Sequence, residues 1–333
     1  MTTQNNSALP GKRKLGKTDL QIAPLVFGGN VFGWTVDEAT SFALLDRFID
    51  AGLDAIDTAD MYSAWVPGHQ GGESETIIGR WLKVDASRRN KVMLITKVGA
   101  PRGPHPGGLS AQHIVSAAED SLRRLQTDHI DLYLSHYPDA QTPVEETLRA
   151  YETLIQQGKV RAIGASNYDA EQLREALKAA GTAGLPRYEV LQPEYNLYDR
   201  ASYEGALRDV AMAERLGVIT YYSLASGFLT GKYRSKNDLG KSVRGGRIEK
   251  YLNARGLRIL DALDTVAKAQ GAQPAEVALA WLITREGVTA PIASATSIEQ
   301  VNSLVSATQL TLTAADIALL DDASALASAQ DSP

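Results

Sequence analysis

The chain has 333 residues, of which 44% are hydrophobic and 22% charged, an ordinary globular composition that argues against disorder and supplies a sizeable core. Its 34 Lys and Arg against 39 Asp and Glu give a formal charge of -5 with no long basic run, so neither nucleic acid nor an anionic membrane is indicated as a partner and a small soluble molecule is. The absence of cysteine excludes disulfides, thiolate nucleophiles and cysteine-based zinc sites, and the scattered histidines have no metal-ligand spacing, so no metal is expected.

The first ten residues carry neither a charged nor an apolar signal region, and no uncharged apolar stretch reaches bilayer length, so the protein is expected to be cytoplasmic. Asn5-Asn6-Ser7 matches a glycosylation acceptor, which means nothing without a secretory signal. Gly11-Lys12-Arg13-Lys14-Leu15-Gly16-Lys17-Thr18 fits the Walker A expression letter for letter. A phosphate loop, however, needs a buried strand before it and a helix starting at its Lys, and here a polar tail precedes it and a Pro-bearing segment follows. The stretch instead predicts a hairpin, with Lys12 to Leu15 and Leu20 to Ile22 flanking the turn-rich Gly16-Lys17-Thr18-Asp19.

Beyond the hairpin, helical periodicity recurs near 37–51, 73–83, 110–126, 143–157, 169–180 and 202–216, each time followed by a short apolar run. Those runs end at Asp57, Lys97 and His136, then span Val160 to Ala165, Glu189 to Leu191 and Val218 to Tyr222. Two further helices, near 256–270 and 274–285, precede a run at Thr289 to Ala293, and Leu310 to Leu312 is taken as the eighth strand. Strands alternating with helices predict an α/β fold, a parallel sheet closed into a (β/α)8 TIM barrel, in one domain over 1–333 with an ordered core from about residue 12 to 322 and polar tails at both ends. Three irregular stretches, Ser63 to Gly72, Gly99 to Leu109 and Gly227 to Arg255, follow strand ends and are expected to overhang one rim.

The polar residues Asp57, Lys97 and His136 stand where apolar runs stop, and Tyr62 lies just beyond Asp57. In a parallel barrel such strand ends converge on the catalytic rim. A phenol has a reference pKa of about 10, and a close ammonium lowers it, so Lys97 is expected to bring Tyr62 down to a useful proton donor. Asp57 would keep Lys97 protonated, and His136 would donate to a carbonyl oxygen. No Gly-x-Gly-x-x-Gly follows any strand, so a dinucleotide, if used, is not held in a Rossmann manner.

Several motifs occur in order: Asp57-Thr58-Ala59-Asp60-Met61-Tyr62, Gly72-Glu73-Ser74-Glu75, Thr96-Lys97, Asp131-Leu132-Tyr133-Leu134-Ser135-His136, and the run from Gly158 to Asn167. Gln192-Pro193-Glu194-Tyr195-Asn196 and the run from Tyr222 to Lys232 complete the set. In these the chain resembles the aldo-keto reductase superfamily over nearly its whole length, and most of all the bacterial single-chain branch that is also similar to potassium-channel β subunits.

The resemblance implies a barrel that binds NADP(H) across its mouth and reduces aldehyde or ketone carbonyls by hydride transfer, with Tyr62 as general acid, Lys97 and Asp57 as its partners and His136 orienting the carbonyl. It assigns Ser166, Asn167 and Gln192 to the nicotinamide amide and Tyr222 to stacking on the ring. The pyrophosphate falls to Ser223, Leu224, Ser226, Gly227, Leu229, Gly231 and Lys232, chiefly through backbone N–H groups, and Gly29, Asn30, Asp57, Arg244, Thr296 and Gln300 are further cofactor positions. The local alternatives are that Ser166-Asn167 merely caps the helix before Asp169, that Tyr222 is an ordinary rim aromatic and that Lys232 is a solvated charge.

Where many members carry a cation for the adenosine 2'-phosphate, this chain reads Ile292 to Gln300 with none, so that charge must come from Lys232, Arg234, Lys236, Lys241, Arg244 or Arg247. On that basis NADP(H) is favoured and NAD(H) remains possible. Phe32, Trp34, Trp65 and Tyr137, with the Gly99 to Leu109 loop, form the expected substrate wall, suited to an aldehyde, a ketone or the flat face of a sugar. The alternatives are an NAD(P)+-dependent sugar or alcohol dehydrogenase, a weakly catalytic NADP(H)-sensing subunit, or a hydrolytic metal barrel. Oligomeric state is not legible in the sequence.

Overall fold

The computed structural model describes residues 11–101 and 106–326. The chain enters through a hairpin of β1 (Arg13–Lys14) and β2 (Gln21–Ile22), paired antiparallel, where the Walker-like stretch lies. Leu15, Leu20 and Ile22 pack into the barrel's inner apolar cluster, so the hairpin closes the floor. Arg13 reinforces it, its guanidinium donating to the carbonyls of Ile283, Val288 and Thr289.

From there strand and helix alternate: β3 (Val26–Gly28), α1 (Glu38–Asp50), β4 (Ala55–Asp57), α2 (Glu73–Val84), β5 (Met93–Val98), α3 (Ala111–Leu125) and β6 (Ile130–Ser135). Next come α4 (Val144–Gln156), β7 (Val160–Ser166), α5 (Ala170–Ala183), β8 (Val190–Gln192), α6 (Ala206–Glu214) and β9 (Gly217–Thr220). The chain ends through α7 (Ala254–Gln270), α8 (Pro274–Thr284), β10 (Ala290–Ala293), α9 (Ile298–Gln309) and α10 (Ala314–Ser324). The strands close into a parallel barrel in the order β10-β3-β4-β5-β6-β7-β8-β9. Among the described residues no single helix is long and apolar enough to cross a membrane.

Side chains alternate across each strand, and this parity fixes where the polar ends point. On β5, Met93 and Ile95 fill the barrel interior while Leu94 belongs to the layer under the helices. On β6, Leu132 and Leu134 point in and Tyr133 out. Counting by two carries Lys97, His136, Asp57 after Ala55, and Gln192 after Val190 to the inner face at the C-terminal rim, and sends Thr96 and Ser135 outward to the helices.

The eighth strand differs from expectation. Leu310 to Leu312 is not a strand but the link from α9 to α10, where Thr313 caps the last helix, and the missing strand is β3, hydrogen-bonded to both β10 and β4. Its short apolar run between Pro24 and Gly28-Gly29 is easily passed over as a turn. Of the irregular stretches, 227–255 is built from short 3-10 turns at Ala225–Thr230, Lys236–Lys241, Gly245–Arg247 and Glu249–Tyr251. Residues 102–105 of the Gly99 to Leu109 loop, the Asn5-Asn6-Ser7 triplet and most of the C-terminal tail lie outside the described residues.

Candidate active site

Asp57, at the end of β4, is the hub of the rim. Its Oδ2 accepts from Lys97 Nζ at 2.7 Å and, more weakly, from the Tyr62 hydroxyl at 3.4 Å, while its Oδ1 accepts from Gln192 Nε2 at 2.9 Å. Lys97 Nζ also donates to the Thr58 carbonyl at 2.8 Å and to the Tyr62 phenol oxygen at 2.9 Å, so one ammonium ties carboxylate and phenol together. Lys97 and Asp57 are almost wholly buried, at 1% and 2% exposure. The His136 ring lies 6.2 Å from that of Tyr62, centroid to centroid, and stacks on Tyr137 at 4.9 Å. Asp57, Tyr62, Lys97 and His136 thus come together in one mouth.

The electrostatics depart from expectation at Tyr62. Burial, and then the Asp57 carboxylate, push the phenol well above its usual range rather than below it. The ammonium is shared with a carboxylate beside the same oxygen, so its charge is largely spent on Asp57, and the resting Tyr62 is a neutral phenol. Burial likewise lowers Lys97, against the pull of Asp57, and it holds His136 well below the ordinary imidazole value, with the Lys97 charge adding to the effect. His136 is therefore neutral at neutral pH, and its buried Nδ1 has no hydrogen-bond partner among the described residues.

Beside this cluster, the Ser166 hydroxyl donates to the Gln192 carbonyl at 2.9 Å and Asn167 Nδ2 donates to the His136 carbonyl at 2.8 Å. Asn167 sits in the left-handed region, φ 62°, and its Oδ1 accepts from the Tyr221 hydroxyl at 2.6 Å, a contact that sequence motifs alone do not reveal. The cap before α5 is Asp169, in a capping box with Gln172, so Ser166-Asn167 is not spent on that role.

Tyr222 is 38% exposed, and Arg247 donates to its hydroxyl at 3.1 Å. Ser223 is buried and donates to the Thr220 carbonyl, and Leu229 is wholly buried in the core. Of the expected backbone donors, the N–H groups of Gly227, Leu229 and Gly231 close local turns onto Leu224 and Phe228, and that of the neighbouring Ala225 onto Tyr222. Gly29 is buried at the start of a 3-10 turn, Asn30 Oδ1 accepts from Ser294 at 2.6 Å, and the Gln300 side chain accepts from the Thr296 N–H at 2.8 Å.

The six basic residues expected to supply phosphate charge fall into two groups. Arg234, Lys236 and Lys241 form ion pairs with Asp264, Glu249 and Asp238. Lys232, Arg244 and Arg247 have no carboxylate partner among the described residues: Lys232 lies over the Tyr233 ring, and Arg244 lies over Trp34 at 5.1 Å with its Nη2 buried and unpartnered. A desolvated, unsatisfied guanidinium is costly unless an anion completes it, so Arg244 fits a phosphate-bearing cofactor, with the exposed Lys232 and Arg247 as further cations nearby in sequence.

The aromatic wall is partly as expected. Trp65 stands edge-on to Trp34 at 5.4 Å and to Tyr62 at 6.0 Å, and Trp65 and Tyr137 are 42% and 46% exposed. Phe32 is not part of it: the ring is wholly buried, stacked on Phe27 at 5.4 Å in the outer core, because it follows a 3-10 turn that aims it away from the mouth.

The aldo/keto reductase family model matches residues 24–325. Relatives include the uncharacterized oxidoreductase YrpG of Bacillus subtilis, 35% identical over 92% of this chain and 94% of that protein. A probable voltage-gated potassium channel subunit beta of Oryza sativa is 35% identical over 87% of this chain and 88% of its own length. The L-glyceraldehyde 3-phosphate reductase of Escherichia coli K12 is 30% identical over 93% and 91%. The chain belongs to the aldo/keto reductase family and is an NAD(P)H-dependent oxidoreductase.

Proposed function

We propose that the protein reduces an aldehyde or ketone carbonyl to the alcohol with NADP(H) in preference to NAD(H), Tyr62 serving as general acid. The observation that carries this reading is the Lys97 ammonium shared between the Tyr62 phenol and the Asp57 carboxylate. A reduced nicotinamide held by the residues named below would supply the hydride. The substrate oxygen then accepts hydrogen bonds from Tyr62 and from the neutral His136, and Tyr62 gives up its proton as negative charge develops on that oxygen. Because its phenol is held above the usual range, Tyr62 enters the step protonated, and Lys97 stabilises the phenolate left behind. Asp57 opposes the burial that would strip Lys97 of its charge, and Gln192 holds Asp57 in place.

Tyr222 offers an exposed ring for stacking, Ser166, Asn167 and Gln192, near the ends of β7 and β8, are the groups for the carboxamide, and Lys232, Arg244 and Arg247, without carboxylate partners among the described residues, supply cations for phosphates. That charge favours the 2'-phosphate of NADP(H). The same groups run in reverse would oxidise an alcohol or sugar. A second reading, a slow NADP(H)-sensing subunit, is favoured only by the likeness to the rice channel subunit.

The test is the decay of nicotinamide absorbance with NADPH and NADH against aromatic and short aliphatic aldehydes and dicarbonyls, with Tyr62→Phe alongside. Fast oxidation that is lost in Tyr62→Phe is expected. Full activity in that variant sinks the mechanism, and tight cofactor binding without turnover in either direction favours the sensing subunit.

A further inference from the structure

The Gly72-Glu73-Ser74-Glu75 stretch has no part in the chemistry above, yet it opens α2 directly behind the rim. Ser74 and Glu75 are both wholly buried. Ser74 Oγ is 2.8 Å from Thr58 Oγ1 and donates to the Gly29 carbonyl at 2.8 Å. Glu75 Oε1 accepts from Thr96 Oγ1 at 2.6 Å. Thr58 and Thr96 are the two residues that frame Lys97: the Thr58 carbonyl accepts one of its N–H bonds, and Thr96 precedes it on β5, pointing outward where Lys97 points in.

The second Glu75 oxygen, Oε2, accepts from Arg124 Nε at 2.6 Å. The approach of α3 depends on glycine at two places. A Cβ on Gly79 would lie 2.0 Å from the Arg124 carbonyl, and one on Gly72, φ 87°, would lie 2.5 Å from the Arg124 side chain. A buried carboxylate is thus satisfied on both oxygens and locked between two helices and a strand, which is how a side chain acquires one fixed position.

We propose that Ser74 and Glu75 are positioning residues for the Lys97 ammonium, the first turn of α2 gripping β4 through Thr58 and β5 through Thr96 so that Lys97 Nζ meets both Tyr62 and Asp57. The proposal rests on the catalytic reading given above. The groups that face Lys97 are Asp57 on β4, Asp60 and Tyr62 in the loop after it, Glu75 on α2 with Arg124 of α3 behind, and His136 after β6. Asp57, Asp60 and Glu75 all act to keep Lys97 protonated. Removing the Glu75 charge therefore makes the ammonium easier to deprotonate.

The experiment compares full-length wild type, Glu75→Gln, Ser74→Ala, Thr96→Val and Thr96→Ser in NADPH-dependent reduction of 4-nitrobenzaldehyde across pH, with thermal melting and NADPH binding by fluorescence. Glu75→Gln and Thr96→Val are expected to lose about tenfold or more in kcat, as misplaced catalytic groups do, with NADPH affinity held within about twofold. Thr96→Ser, which keeps the hydroxyl, recovers most of that loss. In Glu75→Gln the alkaline limb of the profile moves down by about half a pH unit or more, as expected when a carboxylate near an ammonium is removed.

Lowered melting temperature with kcat and pH profile unchanged would reduce Ser74 and Glu75 to packing and overturn the proposal. If Glu75→Gln does not fold, Thr96→Val decides alone, since it leaves the Glu75–Arg124 pair intact. Tyr62→Phe separates the two levels: activity in that variant defeats the catalytic reading itself, whereas its inactivity beside unaltered Glu75 and Thr96 variants defeats only the positioning.

Discussion

The two ends of β6 carry buried polar groups of opposite character. At the floor, Asp131 is 2% exposed and fully answered: Oδ2 accepts from Arg89 at 2.8 Å and from the Leu94 N–H at 2.9 Å, and Oδ1 accepts from Arg161 at 2.9 Å. At the rim, His136 is nearly as buried, yet among the described residues its Nδ1 has no partner, and Arg244 Nη2 is likewise unanswered. Burial alone therefore does not mark a functional residue. A satisfied buried group fastens the strands, and an unsatisfied one holds a cost that a ligand can relieve. The barrel thus separates stability at one end from chemistry at the other.

The sharpest break in that division is at Tyr62. Tyr62→Phe keeps the ring against Trp65 and removes only the hydroxyl that meets Lys97 and Asp57, so carbonyl reduction is expected to fall about a thousandfold, within the span seen for general acids. NADPH binding, followed by fluorescence, should stay near wild type, because Lys232, Arg244 and Arg247, the cations proposed for the phosphates, are elsewhere. Asp131→Ala is the counterpart at the floor. It leaves Arg89 and Arg161 without their carboxylate and should cost about 3 kcal/mol in denaturant unfolding, with kcat unchanged while the protein stays folded. A kcat loss matching the stability loss would erase the distinction between the two ends.

A smaller effect is expected at Arg244. Arg244→Leu keeps apolar cover on Trp34 and removes the unpartnered guanidinium. NADPH should bind roughly tenfold to a hundredfold more weakly, the value of a charge-assisted contact of about 1.5–3 kcal/mol, and NADH much less so. Equal losses for both cofactors would move Arg244 from the 2'-phosphate to the pyrophosphate.

Much of the rim was legible because strand parity is a local rule: Asp57, Lys97 and His136 continue inward-facing apolar sets. What parity does not reach was harder. Phe32 follows a 3-10 turn, and no period in the sequence says that its ring turns into the core. Strand β3 has only three residues and ends at a glycine pair, so its identity depends on pairing with β10 from the far end of the chain. The direction of the Tyr62 shift depends on burial and on Asp57 sharing the Lys97 ammonium, neither of which exists before the fold. Likewise the motif at Gly72 to Glu75 was visible as letters, whereas its grip on Thr58 and Thr96 belongs to tertiary contact.

The subtlest difference between the ends of β6 lies in pH. His136 is held neutral by burial first and by Lys97 second, so its folded pKa lies well below the ordinary imidazole value of about 6.5. Reduction should therefore persist on the acid side past the pH at which a free imidazole gains its charge, and the acid limb of kcat/KM should lie below about 6.5. Stability carries the same sign. Below that pH the unfolded chain binds a proton at this residue and the folded one does not, so stability from this site is full above the unfolded pKa and declines as pH falls. His136→Asn, titrated by denaturant unfolding, should flatten that acid-side slope, since Asn has no proton to gain. Asp131→Asn offers the contrast, for it removes a charge at the floor and should lower stability at neutral pH without moving the acid limb of catalysis. If His136→Asn leaves the slope unaltered, the imidazole titrates alike in the folded and unfolded chains, and burial does not hold it neutral through the acid range.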